Sequence, residues 1–265
     1  MPEYNVANRQ TCDVDIRAIN SSGGYDPFID FTTANTTTTG LSGETVYARA
    51  KGTNKIPFAD PMTGTMTIEA QVYPYKLFSM FADGTISSGG IFAETETITA
   101  AAAGSIALAG TYKDKVKTGS LCVYPEDDYG DSTKKIAGTL SSGTFTATTA
   151  ENIAKDSKYK VAYLVDIGSS DANFAARKIS FKNSTQPGSY YITQKTVDKD
   201  EFGTLTPFVM VAYKATPQRN FELSFSSDGD PATVTMTFDL NEDKNGDILD
   251  FIEIKEKPAA QSGNT

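Results

Sequence analysis

What most constrains this chain is a period of two. Short runs of Thr, Val, Ile, Tyr and Phe alternate with polar residues, and Gly, Asn, Asp and Ser interrupt them at sheet-like intervals. In Thr65-Met66-Thr67-Ile68-Glu69-Ala70-Gln71-Val72, the residues Met66, Ile68, Ala70 and Val72 share one face, and Thr65, Thr67, Glu69 and Gln71 take the other. A helical period would mix the two sets, so this segment reads as a half-buried strand. Residues 232–240 repeat the pattern, with Val234, Met236, Phe238 and Leu240 inward. Glu222-Leu223-Ser224-Phe225 precedes that run across the turn Asp228-Gly229-Asp230-Pro231, and Asn245-Gly246 separates it from a further strand at 248–254.

One short helix is expected, opening at Pro74 and closing at Asp83-Gly84, with Leu77, Phe78 and Phe81 as its apolar face; residues 150–155 are a weaker helical candidate. The fold class is mainly β: a β-sandwich with one short flanking helix, plus a small inserted β-sandwich domain. Residues 95–167 carry several short strands bounded by turn residues, with Gly89-Gly90 before them and Gly168-Ser169-Ser170 after. The expected domains are therefore a discontinuous outer sandwich, 1–94 and 168–257, an insert at 95–167, and a solvated tail at 258–265. Residues 21–43, with Thr36-Thr37-Thr38-Thr39-Gly40, read as a long loop or an arm.

Composition excludes several functions. With no His there is no Ser-His-Asp or Cys-His nucleophile system, and two Cys cannot build an all-cysteine zinc site. The net charge of -9 disfavours tight binding to nucleic acid, whose affinity rests on basic groups that displace counterions. Residues 95–167 hold nine acids and eight bases, so eight of the nine net negative charges belong to the outer domain. Cys122 reads as a small core side chain, and Cys12 lies in a polar stretch with no disulfide spacing. The N-terminus lacks a signal-peptide pattern, and no run approaches the roughly 18 apolar residues of a membrane span. Synthesis in a cytoplasm without export is the expectation.

Asn241-Glu242-Asp243-Lys244-Asn245-Gly246 imitates the start of a calcium loop, but Ile252 stands where the closing Glu belongs, which favours an acidic turn. Glu126-Asp127-Asp128-Tyr129-Gly130-Asp131 reads as a solvated charge run. No P-loop, Rossmann fingerprint or nucleophile elbow is present. The Tyr residues 47, 73, 190, 191 and 213 sit in strand-like runs, where core or interface is the default. No catalytic residue, metal site or cofactor is assigned.

The order of segments outside the insert resembles the tail tube proteins of tailed bacteriophages. The resemblance is carried by residues 43–52, by Lys55-Ile56-Pro57-Phe58, by the strand at 64–72 and by the helix after Pro74. It continues with Arg177-Lys178-Ile179-Ser180-Phe181, Gly188-Ser189-Tyr190-Tyr191-Ile192-Thr193, residues 200–208 and Ser226-Ser227-Asp228-Gly229-Asp230-Pro231. The insert is similar to the Ig-like modules of phage virion proteins. The resemblance implies a virion protein whose copies join into rings, expected to be hexamers, that stack into a tube. The genome passes through without specific binding, and sheath, baseplate or terminator proteins are further partners. It places Thr65, Thr67 and Glu69 toward the lumen and Tyr47, Arg49 and Lys51 near subunit contacts. Other readings are a head decoration or baseplate protein, a cell-surface or glycan-binding module, and a β-rich hydrolase working through two carboxylates.

Overall fold

The computed structural model describes residues 5–82, 84–220 and 231–255. The chain divides into two compact units, Met1–Thr85 with Ser180–Thr265, and Ile86–Ile179. The first unit opens with β1 (Val6–Ala7), β2 (Asp13–Ile19), β3 (Tyr25–Phe31), β4 (Thr36–Ser42), β5 (Thr45–Ala50), β6 (Thr53–Ala59) and β7 (Thr63–Ala70). In the second unit lie β8 (Ser87–Ser88), β9 (Gly90–Thr99), β10 (Ser105–Ala107), β11 (Cys122–Pro125), β12 (Gly138–Ser141), β13 (Thr144–Ala147), β14 (Lys158–Ile167) and β15 (Arg177–Lys178). The chain then returns to the first unit with β16 (Tyr190–Asp200), β17 (Leu205–Pro217), β18 (Val234–Asn241) and β19 (Leu249–Glu253). The mainly-β expectation holds. The expected strand at 222–225, its turn up to Asp230, and the tail at 258–265 lie outside the described residues.

The large sheet of the first unit runs β3-β2-β16-β17-β18-β7-β4, with β1 added to β16 and β19 to β17. Every pairing in it is antiparallel. The long strand β17 branches the sheet: residues 208–212 pair with β19, and residues 214–217 pair with β18. One core gathers side chains from both sides of that branch. Val14 and Ile16 of β2, Phe31 of β3 and Ile192 of β16 are buried with Met66 and Ile68 of β7 and Met236 and Phe238 of β18. The Thr39 hydroxyl on β4 donates to Gln194 Oε1 on β16 at 3.1 Å, so the two flanks of the sheet meet.

The alternation in β7 and β18 sets which side chains are buried, since successive residues point to opposite faces. Val72 departs from the expectation: β7 ends at Ala70, the chain bends, and Val72 is 67% exposed. Residues 21–43 are also corrected, because they contain β3 and β4, both paired into the large sheet. The expected helix is a 3-10 helix, Tyr75–Phe81, after an extended Pro74. Its period of about three aligns Leu77 with Met80, and those two are fully buried while Phe78 is half-buried. The weaker candidate is a single 3-10 turn, Ala150–Asn152.

In the second unit, β10-β13-β12 and β11-β14-β9 form two three-stranded sheets. They enclose Ile106, Val123, Phe145, Ile153, Val161 and Val165. The expected insert, 95–167, lies inside this unit. β9 begins at Gly90, paired with Ile167, and β8 pairs with β15 where the chain enters and leaves. Glu96 fixes the 109–110 loop: one carboxylate oxygen accepts the N–H groups of Ala109 and Gly110, and the other accepts the Tyr163 hydroxyl. That bond and burial push the Tyr163 phenol well above its usual range, burial contributing most.

Candidate assembly surfaces

Thr65, Thr67 and Glu69 come together on the outward face of β7, because Met66, Ile68 and Ala70 occupy the core side. Thr65 is exposed; Thr67 and Glu69 are half-buried between neighbouring strands. Register extends the face sideways. Thr67 stands between Thr237 and Thr38, and Glu69 between Thr235 and Thr36. The Thr67 and Thr237 hydroxyls are 3.3 Å apart, within hydrogen-bonding distance. The result is a hydroxyl-covered patch across β4, β7 and β18 whose formal charges are Glu69 and Asp239, both acidic.

Tyr47, Arg49 and Lys51 lie on one hairpin, β5–β6, a two-stranded sheet separate from the large one. Lys51 and Gly52 form its turn with φ of 50° and 79°. Positive φ at both central positions is the type I′ geometry that matches strand twist, and Gly52 fits it without steric cost. All residues from 41 to 63 are exposed. Val46 faces Phe58 and Ala48 faces Ile56, so one side of the hairpin is apolar, and Val46, Ile56 and Phe58 are each more than half exposed. An isolated two-stranded hairpin is at best marginally stable in water, and clustered exposed apolar side chains mark contact surfaces. The segments holding Val46, Ile56 and Phe58 carry part of the resemblance, but the contact expected from sequence names only Tyr47, Arg49 and Lys51. The signal of the apolar three was present: two alternating runs on either side of Lys51-Gly52.

Sheet edges differ in how well they are guarded. β3 carries Asp26, Pro27 and Asp30, the charges and proline that discourage further pairing. β4, at the opposite edge, carries neither a charge nor a proline. Beyond the core, β17 and β19 expose Leu205 and Phe251, with the Phe208 and Phe251 rings 5.7 Å apart. On the outer face of the other flank, Tyr25, Tyr191 and Tyr213 form a chain of ring contacts at 4.4 and 6.0 Å. The Tyr213 hydroxyl donates to Asp250 at 2.6 Å, and this bond together with desolvation pushes its phenol up to about 12. Of the tyrosines read as core or interface, Tyr190 is buried, Tyr73, Tyr191 and Tyr213 are half-buried, and Tyr47 is exposed.

The acidic turn at 241–247 is held by its own backbone. Asp243 Oδ1 accepts the N–H groups of Asn245 and Asp247 at 2.7 and 3.0 Å. Burial pushes the Asp243 carboxyl up, and these N–H groups outweigh it and hold the carboxyl below its usual value. Among the described residues no three His, Cys, Asp or Glu side chains stand close enough to hold a metal ion. Cys12 and Cys122 are free thiols; Cys12, despite its polar surroundings in sequence, is the buried one. Among the described residues no helix is long and apolar enough to cross a membrane.

The fold and its surfaces thus define a β-rich protein that presents apolar and hydroxyl-bearing side chains on sheet faces, a projecting hairpin and an open edge. The chain belongs to the YomU/Tube protein family, whose model matches residues 14–254. No curated protein matches it. The resemblance drawn from the sequence therefore holds at the level of a tube-protein family.

Proposed function

We propose that this chain is a structural virion protein of a tailed bacteriophage, which assembles into rings that stack into the tail tube through which DNA passes. The β5–β6 hairpin carries the reading. Among the described residues its apolar side has no cover, and covering Val46, Ile56 and Phe58 with a second copy gains roughly 1.5–3 kcal/mol per side chain. A hairpin of one copy set against a different surface of the next is a heterologous contact, which closes into rings or propagates along an axis. Tyr47, Arg49 and Lys51 then sit at that contact, and the unguarded β4 edge is removed by ring closure. The face bearing Thr65, Thr67 and Glu69 suits the lumen: a hydroxyl surface with only acidic charge repels phosphates and gives a passing genome nothing to grip.

In this reading the ring is hexameric and meets sheath, baseplate or terminator proteins at its ends. The chain is made in the host cytoplasm and ends in the virion, with no catalytic role and no cofactor. The second unit is an Ig-like sandwich, a reading supported by its two three-stranded sheets around one core. Electron microscopy of the purified protein at high concentration is the test. Hollow tubes of uniform diameter are expected. A protein that stays monomeric at every concentration overturns the reading, and closed trimers or rings that never stack assign it to another virion component.

A further inference from the structure

Among the described residues, strand β12 in the second unit has one open side. The Thr148 N–H donates to the Ala137 carbonyl, whereas the Ala147 N–H turns the other way, to the Gly104 carbonyl. Antiparallel strands alternate these directions, so Thr139 and Ser141 exchange bonds with β13, opposite Thr146 and Thr144. Gly138 and Leu140 therefore point their N–H and C=O groups away from β13, on the same side as Ile136. Ile136 uses that side, donating to the Val123 carbonyl of β11 at 2.9 Å. Past this bridge the two segments diverge and leave a cleft of about 640 Å³ between β12 and the 116–121 segment.

The chemistry of the cleft is specific. Leu121 and Leu140 give it apolar walls, and Lys117 and Lys135 are exposed on its lining. Neither lysine takes part in an ion pair among the described residues, although Lys115 and Lys158 in the same unit do. A free strand edge offering alternate backbone donors and acceptors recognises another extended backbone, and the side chains around it choose which one. Unpaired positive charge selects carboxylates.

We propose that this cleft takes an extended, acidic peptide segment of a partner protein, which pairs with Gly138 and Leu140 as a fourth strand beside β12 and sets its carboxylates against Lys117 and Lys135. The proposal concerns the second unit and does not depend on tube formation.

The test uses the full chain, labelled with 15N, and a blocked hexapeptide alternating Thr and Glu. Expected results are saturable shifts of the Gly138 and Leu140 amides and weaker binding at raised salt. Replacing the central Thr of the peptide by Pro keeps the charge but removes a donor, and should weaken binding at least tenfold. So should the paired exposed substitutions Lys117→Glu and Lys135→Glu. Inorganic polyphosphate serves as the charge-only probe. If it binds as tightly as the peptide, or if the Pro peptide binds equally well, strand addition is overturned. Absence of amide shifts at millimolar peptide overturns the proposal outright.

Discussion

Thr39 and Gln194 meet across the core of the first unit, hydroxyl to side-chain carbonyl at 3.1 Å, and the Gln194 amide nitrogen beside that bond is buried without a partner among the described residues. A buried donor left unpaired costs its full desolvation. Gln194→Met keeps the length of the side chain and removes the donor, and Thr39, only half-buried, can turn its hydroxyl to water. The variant is expected to gain about 1 kcal/mol in urea denaturation. A loss of stability would mean that the amide has a role in holding the two flanks together.

The Tyr190 phenol is pushed up to about 12 by burial. Its folded value lies above the unfolded value of 10.0, so the folded state holds the proton more tightly. The linked stability is fully present below pH 10 and is lost as pH rises toward 12, a total of roughly 2–3 kcal/mol. Denaturation of Tyr190→Phe across this range should show a shallower alkaline loss than the parent protein.

Lys115 pairs with Asp171, whose carboxylate also accepts the N–H groups of Asn173 and Phe174. The lysine first, then these amides, hold the Asp171 carboxyl below its usual value. The sign is opposite to that of the tyrosine: the stability is present above the ordinary carboxylate range and is lost as pH falls through the depressed value. In Lys115→Met the Asp171 carboxyl should titrate at higher pH, read by carboxyl-carbon NMR, and the second unit should lose less stability on acidification.

A β-carbon on Gly138 would overlap the Thr146 carbonyl oxygen and the Phe145 ring. Both lie on the neighbouring strand of the same small sheet, where the backbone cannot yield. Gly138→Ala is expected to cost about 1–3 kcal/mol in the second unit. Gly40→Ala, with nothing near its β-carbon, serves as the control and should be far milder.

Val46 and Phe58 face each other on the projecting hairpin. Val46→Lys combined with Phe58→Glu keeps a favourable cross-strand pair while removing two of the three large apolar side chains, with Ile56 left in place. Monomer stability should stay within about 0.5 kcal/mol of the parent. Sedimentation velocity at high concentration should show assembly lost; unchanged assembly would move the contact elsewhere.

The strands that could be read in advance are those whose two faces differ. In β7 and β18 burial of Met66, Ile68, Met236 and Phe238 requires an apolar residue at every second position, and that requirement is written in the chain. β4 has no such imprint. Its inward residues are Thr37 and Thr39, half-buried hydroxyls, one of them satisfied by a glutamine 155 positions away. Nothing local distinguishes that run from a polar loop. The apolar side of the hairpin is illegible for the opposite reason: Val46, Ile56 and Phe58 are apolar yet exposed, and a two-residue period does not tell a core face from a contact face. Thr65, Thr67 and Glu69 could be placed on one outward face from alternation alone, whereas their width of company, Thr36 to Asp239 across three strands, depends on pairings between distant segments.

Ser87–Ser88 and Arg177–Lys178 form a two-residue ladder, so the second unit begins and ends at adjacent points. A segment with neighbouring ends behaves, for the chain on either side, like a parenthesis. Whatever it encloses can lengthen, shrink or be exchanged while Ser88 still faces Arg177. Every strand of the large sheet lies outside residues 86–179, so its register holds whatever the parenthesis contains.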